Sequence, residues 1–457
     1  MVTRKLLTQD ANQRIRAGDN EGALRGLVAL VRSAPHDLDA RLRIGDALLI
    51  AGDNTQAIQV YAFVAREASL SGYPLKAIVA LKILARIDPA INELLGQLAQ
   101  RYAAGSSALG KAVRLAPPTP ESEVPAAAFV PNELDYGQVR AVAAQAATLR
   151  EGLPGYPATV APIPLLSDLP PEAFVKMLSA VTLKRAAQGD AIIREGEPGD
   201  AFYMLARGTA RVTRRAGGGG TVITPENDVL LATLGEGSIV GEMALVSGAP
   251  RGATVSVVDD GDALVFGRDA LEAVAREISV VGQALERFTR DRLVQNLLAT
   301  HPIFKPFDRA QRVQLASRFS AHDAPAGAVI IREGDVGRGL FLLLSGQVEV
   351  TRENNGQRVA LATLDSGDVF GEIALIEQGT TTATVTAVRN STVMFLSREL
   401  FDRLVQGVPE LRTYFENLAQ DRLMDANLTM SAAAEGPEAS AVEDEHELLD
   451  EDDLVLV

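Results

Sequence analysis

The sequence contains no cysteine and no tryptophan, only four histidines, and few aromatic residues of any kind, at 5%. Without cysteine there is no disulfide framework, no thiolate metal site and no cysteine nucleophile. His36, His301, His322 and His446 fall in separate segments without metal-ligand spacing. No nucleophile–base arrangement accompanies them, so the sequence predicts no metal site, no catalytic residues and no enzyme. Long apolar runs are missing too: the best, Ala77 to Ala85, is interrupted by Lys82 and is too short to span a bilayer. The opening Met-Val-Thr-Arg-Lys-Leu-Leu-Thr-Gln-Asp lacks the apolar core of a signal peptide. A soluble, cytoplasmic protein without membrane insertion is expected. An excess of basic charge is also lacking. The net charge of -15 argues against a general nucleic-acid binder, which relies on Lys and Arg to release counterions. Much of the acidity is local, since residues 431–457 hold ten acidic residues and no Lys or Arg.

What is present is a chain of 457 residues, 47% hydrophobic, which as a soft prior means about three domains. Residues 1–112 read as helices. Arg16-Ala-Gly-Asp-Asn-Glu-Gly-Ala23 recurs as Ile50-Ala-Gly-Asp-Asn-Thr-Gln-Ala57, 34 residues on, and Ala23 to Pro35 finds a further echo in the proline-closed Leu75 to Pro89. That period resembles tetratricopeptide repeats, each a helix–turn–helix, although the bulky aromatic signature is reduced to Tyr61. A generic array of helical hairpins fits the same residues. Either architecture predicts a groove for a peptide or partner helix. Gly105-Ser-Ser-Ala-Leu-Gly-Lys matches the start of a phosphate-binding loop, but Ala112 replaces the hydroxyl needed for magnesium and a helix precedes it where a strand is required. Residues 113–163 read as a linker: Pro117 to Pro125 cannot propagate a helix or a central strand and is expected to be extended and mobile, with a short amphipathic helix at Gln138 to Glu151.

The next stretch is a tandem repeat, residues 164–300 and 301–428. Pro164 to Val212 aligns with Pro302 to Val350 at a constant offset of 138, most clearly Ile192-Ile-Arg-Glu-Gly196 against Ile330-Ile-Arg-Glu-Gly334. Strand-like runs punctuated by glycines predict a small antiparallel barrel or jelly roll in each copy. After Ala216-Gly-Gly-Gly-Gly-Thr221, which reads as a loose hairpin tip, the offset falls to 130. A helical stretch follows each barrel, Asp269 to Leu298 and Arg398 to Leu428. The fold class is therefore multidomain α+β: a helical repeat array, then two antiparallel barrels with flanking helices. Residues 429–457 form an acidic tail expected to be disordered, serving solubility or carrying a short docking motif.

Val240-Gly-Glu-Met-Ala-Leu-Val-Ser-Gly-Ala-Pro-Arg-Gly-Ala-Thr-Val255 has the makings of an anion trap. Gly241 lets the backbone approach a ligand. Free amides at the start of a helix favour phosphate, and Arg251 brings a planar cationic fork suited to two phosphate oxygens. Glu242 makes sense beside a phosphate only if it accepts hydrogen bonds, as from a sugar hydroxyl. The stretch resembles the phosphate-binding cassette of cyclic nucleotide-binding domains, as in the regulatory subunit of cAMP-dependent protein kinase and the bacterial catabolite activator, departing from it at Val240, where Phe is usual. The resemblance implies that Glu242 holds the ribose 2′-hydroxyl and Arg251 the cyclic phosphate, with Gly241, Gly252 and the amides near Ala244 and Ala253 completing the site. It also implies that the helices after each barrel close over the ligand.

The second cassette, Phe370 to Val385, keeps Gly371, Glu372, Ala374, Leu375 and Ala383 but has Thr380 and Thr381 where the first has Pro250 and Arg251. Losing the guanidinium is expected to cost about 2–5 kcal/mol, roughly 30- to several-thousand-fold in affinity. The second copy is therefore expected to be a structural partner, with an uncharged nucleoside-like ligand or a cation recruited from elsewhere as alternatives. Gly252 offers no hydroxyl to guanine, which favours cAMP over cGMP as the regulatory ligand. Phe288 and Tyr414 are the candidates to cap the base. The kinase regulatory subunits carry a basic inhibitor sequence in their linker; nothing in 113–163 resembles it, and Arg214-Arg215-Ala216 lies at a hairpin tip. The residues after the second barrel read as a helix and an acidic tail, so no basic helix-turn-helix and no direct DNA binding are expected of them. The expected function is a cytoplasmic cyclic-nucleotide receptor that signals to an unidentified protein partner through the helical repeats or the tail. The alternative is a ligand-independent scaffold.

Overall fold

The computed structural model describes residues 2–88, 91–111, 114, 116–215, 228–242, 250–354 and 357–435. They divide into two compact units, Met1–Arg292 and Leu293–Val457. The tetraglycine hairpin tip, the acidic tail beyond 435, Ala112 and Ala244 lie outside the described residues.

The first unit opens with α1 (Arg4–Ala17), α2 (Asn20–Ser33), α3 (Leu38–Ile50), α4 (Asn54–Leu70), α5 (Pro74–Leu84) and α6 (Asn92–Tyr102). The two Ala-Gly-Asp-Asn motifs are stop–start signals. Gly18 (φ +80) and Gly52 (φ +77) turn the chain in the left-handed region. Asp19 and Asp53 then cap α2 and α4, accepting from the amides of Gly22 and Gln56. Close packing of α3 on α4 needs Gly45, where a Cβ would lie 2.9 Å from the Tyr61 ring.

Among its described residues, the segment read as a linker, including the Pro117 to Pro125 stretch expected to be mobile, is held against the helices at several points. Glu123 bridges to Thr3, and Val124, Ala128 and Val130 are buried. An Asp135/Gln138 capping box then starts α7 (Tyr136–Thr148). Val139, Ala143 and Ala147, one stripe at helical spacing, pack α7 onto α2, α3 and α4. Buried Arg41 donates to the carbonyls of Ala147 and Leu149 at 2.6 and 3.0 Å, holding the end of α7. The proline-rich composition excluded regular structure only over its first third; the apolar stripe after Asp135 decided the rest. As a consequence, the groove formed by α2, α3 and α4 holds part of this same chain.

After α8 (Pro171–Ala180) come β1 (Thr182–Ala186), β2 (Ala191–Ile193), β3 (Ala201–Arg207), β4 (Ala210–Arg215), β5 (Asp228–Leu234), β6 (Ile239–Val240), β7 (Thr254–Val257) and β8 (Gly261–Gly267). They form two antiparallel sheets, β1-β8-β3-β6 and β2-β7-β4-β5. This is the expected jelly roll. Period-two alternation along β3 feeds two cores. Phe202, Met204 and Ala206 join one continuous core with the helical region, whereas Leu205 joins Ile193, Val255 and Val257 inside the barrel. The unit continues through α9 (Arg268–Glu277) into α10 (Ser279–Thr300).

A buried ionic network joins α3 to the barrel. Asp46 accepts two 2.7 Å bonds from Arg185 and one of 2.6 Å from the Tyr61 hydroxyl. Arg185 also reaches Asp262 at 3.0 Å, which receives a 2.7 Å bond from buried Arg207. Burial opposes ionisation of Asp262, but Arg207 and Arg185 overcome it and hold the carboxyl at about 2. The helical array and the first barrel are one folded body.

The second unit repeats the plan. After α11 (Arg309–Ala316), β9 (Ser320–Ala324), β11 (Gly339–Ser345), β14 (Val369–Phe370) and β16 (Ser391–Ser397) form the sheet β14-β11-β16-β9. β10 (Val329–Ile331), β12 (Gln347–Asn354), β13 (Gln357–Asp365) and β15 (Thr384–Ala387) form β10-β15-β12-β13. A short α12 (Glu372–Ile376) lies between β14 and β15, and α13 (Arg398–Gly407) and α14 (Pro409–Glu435) follow. Among the described residues no helix is long and apolar enough to cross a membrane.

Candidate functional site

In the first barrel the chain leaves β6 through Gly241, whose φ is +84. A Cβ there would sit 2.7 Å from Arg251 Nη1 and 3.0 Å from Ile193 Cδ1, so the position needs glycine for both conformation and space. Arg251 returns just before β7 and is buried. Its Nη1 donates to Gly241 O and its Nη2 to Ala201 O, both at 2.7 Å, and Asp200 lies 3.8 Å away. Its backbone is fixed as well: Arg251 N donates to Glu197 O, and Gly196 N donates to Arg251 O. The guanidinium is thus preorganised at the mouth of β6 and β7. Gly252 follows with its carbonyl accepting from Arg214 Nε at 3.0 Å, and Ala253 leads into β7. Gly241, Glu242, Arg251, Gly252 and Ala253 are brought together; Ala244 lies outside the described residues.

Glu242 has a partner that sequence reasoning missed. Arg292 of α10 donates to Glu242 Oε1 through Nη2 at 2.8 Å and Nε at 3.2 Å. The same Nη2 donates to Ile239 O at 3.3 Å. The helix after the barrel therefore holds the carboxylate of the cassette directly. The signal was present in the repeat: the offset of 130 that carries Glu242 to Glu372 also carries Arg292 to Arg422. In the second unit Arg422 donates to Glu372 Oε1 at 2.8 Å and to Val369 O at 2.6 Å, the same pairing.

The second cassette keeps the frame and loses the cation. Gly371 is again left-handed (φ +88), and a Cβ there would lie 2.8 Å from Gly339 O. Thr381 is held as Arg251 is, with its amide donating to Asp335 O and its carbonyl accepting from Gly334 N, both at 2.8 Å. Its hydroxyl lies against the carbonyls of Arg332 and Asp335. A cavity of about 160 Å³ borders Gly339, Phe341, Gly371 and Thr381. These are the counterparts of Ala201, Tyr203, Gly241 and Arg251, so the cavity occupies the place the arginine side chain fills in the first copy.

The two candidate caps take other positions. Phe288 packs 5.5 Å from Phe202 in the core of the first unit, 8% exposed. Tyr414 packs edge-on against Phe415 and does not line the cleft of the second barrel. Phe288 thus serves the packing of α10 against β3.

Residues 183–277 and 321–407 match the cyclic nucleotide-binding domain family. The chain thus carries tandem cyclic nucleotide-binding domains, and they resemble those of the regulatory subunits of cAMP-dependent protein kinase. It is 30% identical over 256 residues to the cAMP-dependent protein kinase regulatory subunit of Schizosaccharomyces pombe, covering 54% of this chain and 58% of that one. To the cGMP-dependent protein kinase of Caenorhabditis elegans it is 28% identical, covering 56% of this chain and 31% of the relative. Among solved structures, the catabolite activator protein of Thermus thermophilus is 31% identical over 30% of this chain and 61% of its own, with a TM-score of 0.26. In each case the chain spans less than two thirds of the relative.

Proposed function

We propose that the protein is a cyclic-nucleotide receptor, with cAMP as its ligand, that has no catalytic activity and acts by changing what a protein partner binds. The observation that carries this reading is the preorganised pair in the first barrel: a buried guanidinium and a carboxylate at the two ends of one cassette. In the proposed bound state, Arg251 and the cassette amides hold the cyclic phosphate and Glu242 accepts from the ribose 2′-hydroxyl. Glu242 is already held by Arg292, so a ribose hydroxyl arriving at that carboxylate changes the pairing that ties α10 to the cassette. Ligand then shifts the equilibrium between two settings of the helix by its difference in affinity for them. Gly252, lacking a hydroxyl for guanine, favours cAMP over cGMP.

The relatives are named as kinase regulatory subunits and a kinase, and a kinase is accordingly the first partner class to seek. The groove of the helical array, held partly by α7, leaves its outer surfaces and the acidic tail as the proposed contacts. Thermal unfolding tests the receptor reading: cAMP at about 100 times its dissociation constant stabilises a single-site protein by about 2.7 kcal/mol. The first transition should rise in wild type and stay put in Arg251→Ala. No shift in well-folded wild type would leave the scaffold reading.

A further inference from the structure

We infer that the helical array carries a binding site for a phosphate monoester, in a cavity of about 330 Å³ between α4, α6 and the loop that follows α6. The only charged side chains in its wall are Arg66 of α4 and Arg101 of α6, and no carboxylate lines it. Neither arginine forms an ion pair among the described residues. In a chain with a net charge of -15, two guanidiniums lining one cavity without a counter-ion are not surplus surface charge. Arg101 is half-buried and braced, its Nη2 donating to Leu70 O at 3.2 Å and Pro157 O at 2.8 Å, while its Nε is buried without a partner. Arg66 is exposed, and its side chain makes no hydrogen bond among the described residues. Its planar fork is therefore available to close on an anion.

The neutral donors decide the kind of anion. Ser69, 6% exposed, lines the cavity, and its hydroxyl has no hydrogen-bond partner among the described residues. A buried hydroxyl left without a partner is costly, and a ligand oxygen would satisfy it. Ser107 and Gln100 add a second hydroxyl and an amide from the exposed rim. Together the wall offers more N–H and O–H groups than the two oxygens of a carboxylate can accept, and its two positive charges match a phosphate dianion. The cavity is larger than a bare phosphate needs, and Leu94 gives it an apolar wall for the organic part of an ester. Ser107 belongs to Gly105-Ser-Ser-Ala-Leu-Gly-Lys, the stretch that matches the start of a phosphate-binding loop. A helix precedes that loop and Lys111 is not in the wall, so the cations come from α4 and α6 instead.

The test is calorimetric titration of the full chain at low ionic strength with phenyl phosphate, phosphoserine and inorganic phosphate, and with phenol, serine and succinate as controls. At least one of the two esters should bind at one site per chain, more tightly than inorganic phosphate and every control. Arg66→Ala should weaken that binding roughly 10- to 100-fold, the loss of hydrogen bonds to a charged group. Arg66→Lys, which keeps the charge without the fork, should fall between the two. Because Arg66 is exposed and makes no hydrogen bond among the described residues, both variants should keep the wild-type far-UV circular dichroism spectrum. Arg251→Ala should leave ester binding unchanged, which tells this site apart from the first cassette. No ester binding, ester binding that survives Arg66→Ala or is lost with Arg251→Ala, or succinate or inorganic phosphate bound as tightly as the esters would overturn the inference.

Discussion

Replacing Asp46 by alanine removes the hub that joins the helical array to the first barrel. Asp46 is 5% exposed and holds Arg185 through both carboxylate oxygens, with Arg43 at 3.7 Å. Without it, the fully buried Tyr61 hydroxyl loses its acceptor, at about 1–3 kcal/mol. Arg43, which burial already pushes down to about 10, keeps only Asp260 at 3.2 Å. Breaking a buried pair from one side costs about 3–5 kcal/mol. Arg185 moderates this, because its side chain is 38% exposed and Asp262 remains at 3.0 Å. The expected total is about 4–5 kcal/mol, the lower end of a simple sum. With no tryptophan to report, urea unfolding followed by far-UV circular dichroism is the assay. Tyr61→Phe, which removes only the hydroxyl, should cost about 1 kcal/mol. A double-mutant cycle of Asp46→Ala with Arg185→Ala should return a coupling above about 1 kcal/mol. A loss below about 1 kcal/mol with no coupling would refute the argument that this network welds array and barrel together.

The paired arginines should separate by burial. Arg292→Ala leaves Glu242, 14% exposed, partly hydrated and should cost about 1 kcal/mol, whereas Arg422→Ala strands Glu372, 1% exposed, and should cost about 3 kcal/mol, both read from chemical denaturation. Gly241→Ala places a methyl group 2.7 Å from Arg251 Nη1 in a left-handed residue, so it should lose about 1–2 kcal/mol of stability and weaken cAMP binding at the first barrel, measured by titration. Asp262 is depressed from 3.8 to about 2 in the folded protein, so its stabilisation is present above 3.8 and lost as pH falls towards 2. Urea unfolding should show about 2–3 kcal/mol of acid loss across that window in wild type that is missing from Asp262→Asn.

The parts of this protein that were legible in the sequence are those carried by local chemistry or by repetition. The Gly-Asp-Asn turns announced helix ends because left-handed backbone and side-chain caps each demand particular residues. The constant offsets of 138 and 130 announced two copies of one barrel, and the copies align strand for strand. Gly241, Glu242 and Arg251 stood out because their types and spacing match those of the phosphate-binding cassette that the stretch resembles. What stayed hidden depends on distance in space. Asp46 and Arg185 are 139 residues apart and look like ordinary surface charges until α3 meets β1. The helix expected at Gln138 to Glu151 is present as α7, Tyr136–Thr148. Its packing onto α2, α3 and α4 was not legible, because the stripe of Val139, Ala143 and Ala147 names no partner until the chain is folded. Arg292 was within reach, since its repeat in Arg422 is visible once the helices are aligned as carefully as the cassettes.

Arg251 in the first cassette and Thr381 at the same place in the second set the two barrels apart. Calorimetric titration of cAMP into the full chain measures the consequence directly. One cAMP per chain, lost in Arg251→Ala and unaffected by Thr381→Val, is the predicted result. Two molecules per chain bound with similar strength, or binding that survives Arg251→Ala, would contradict it.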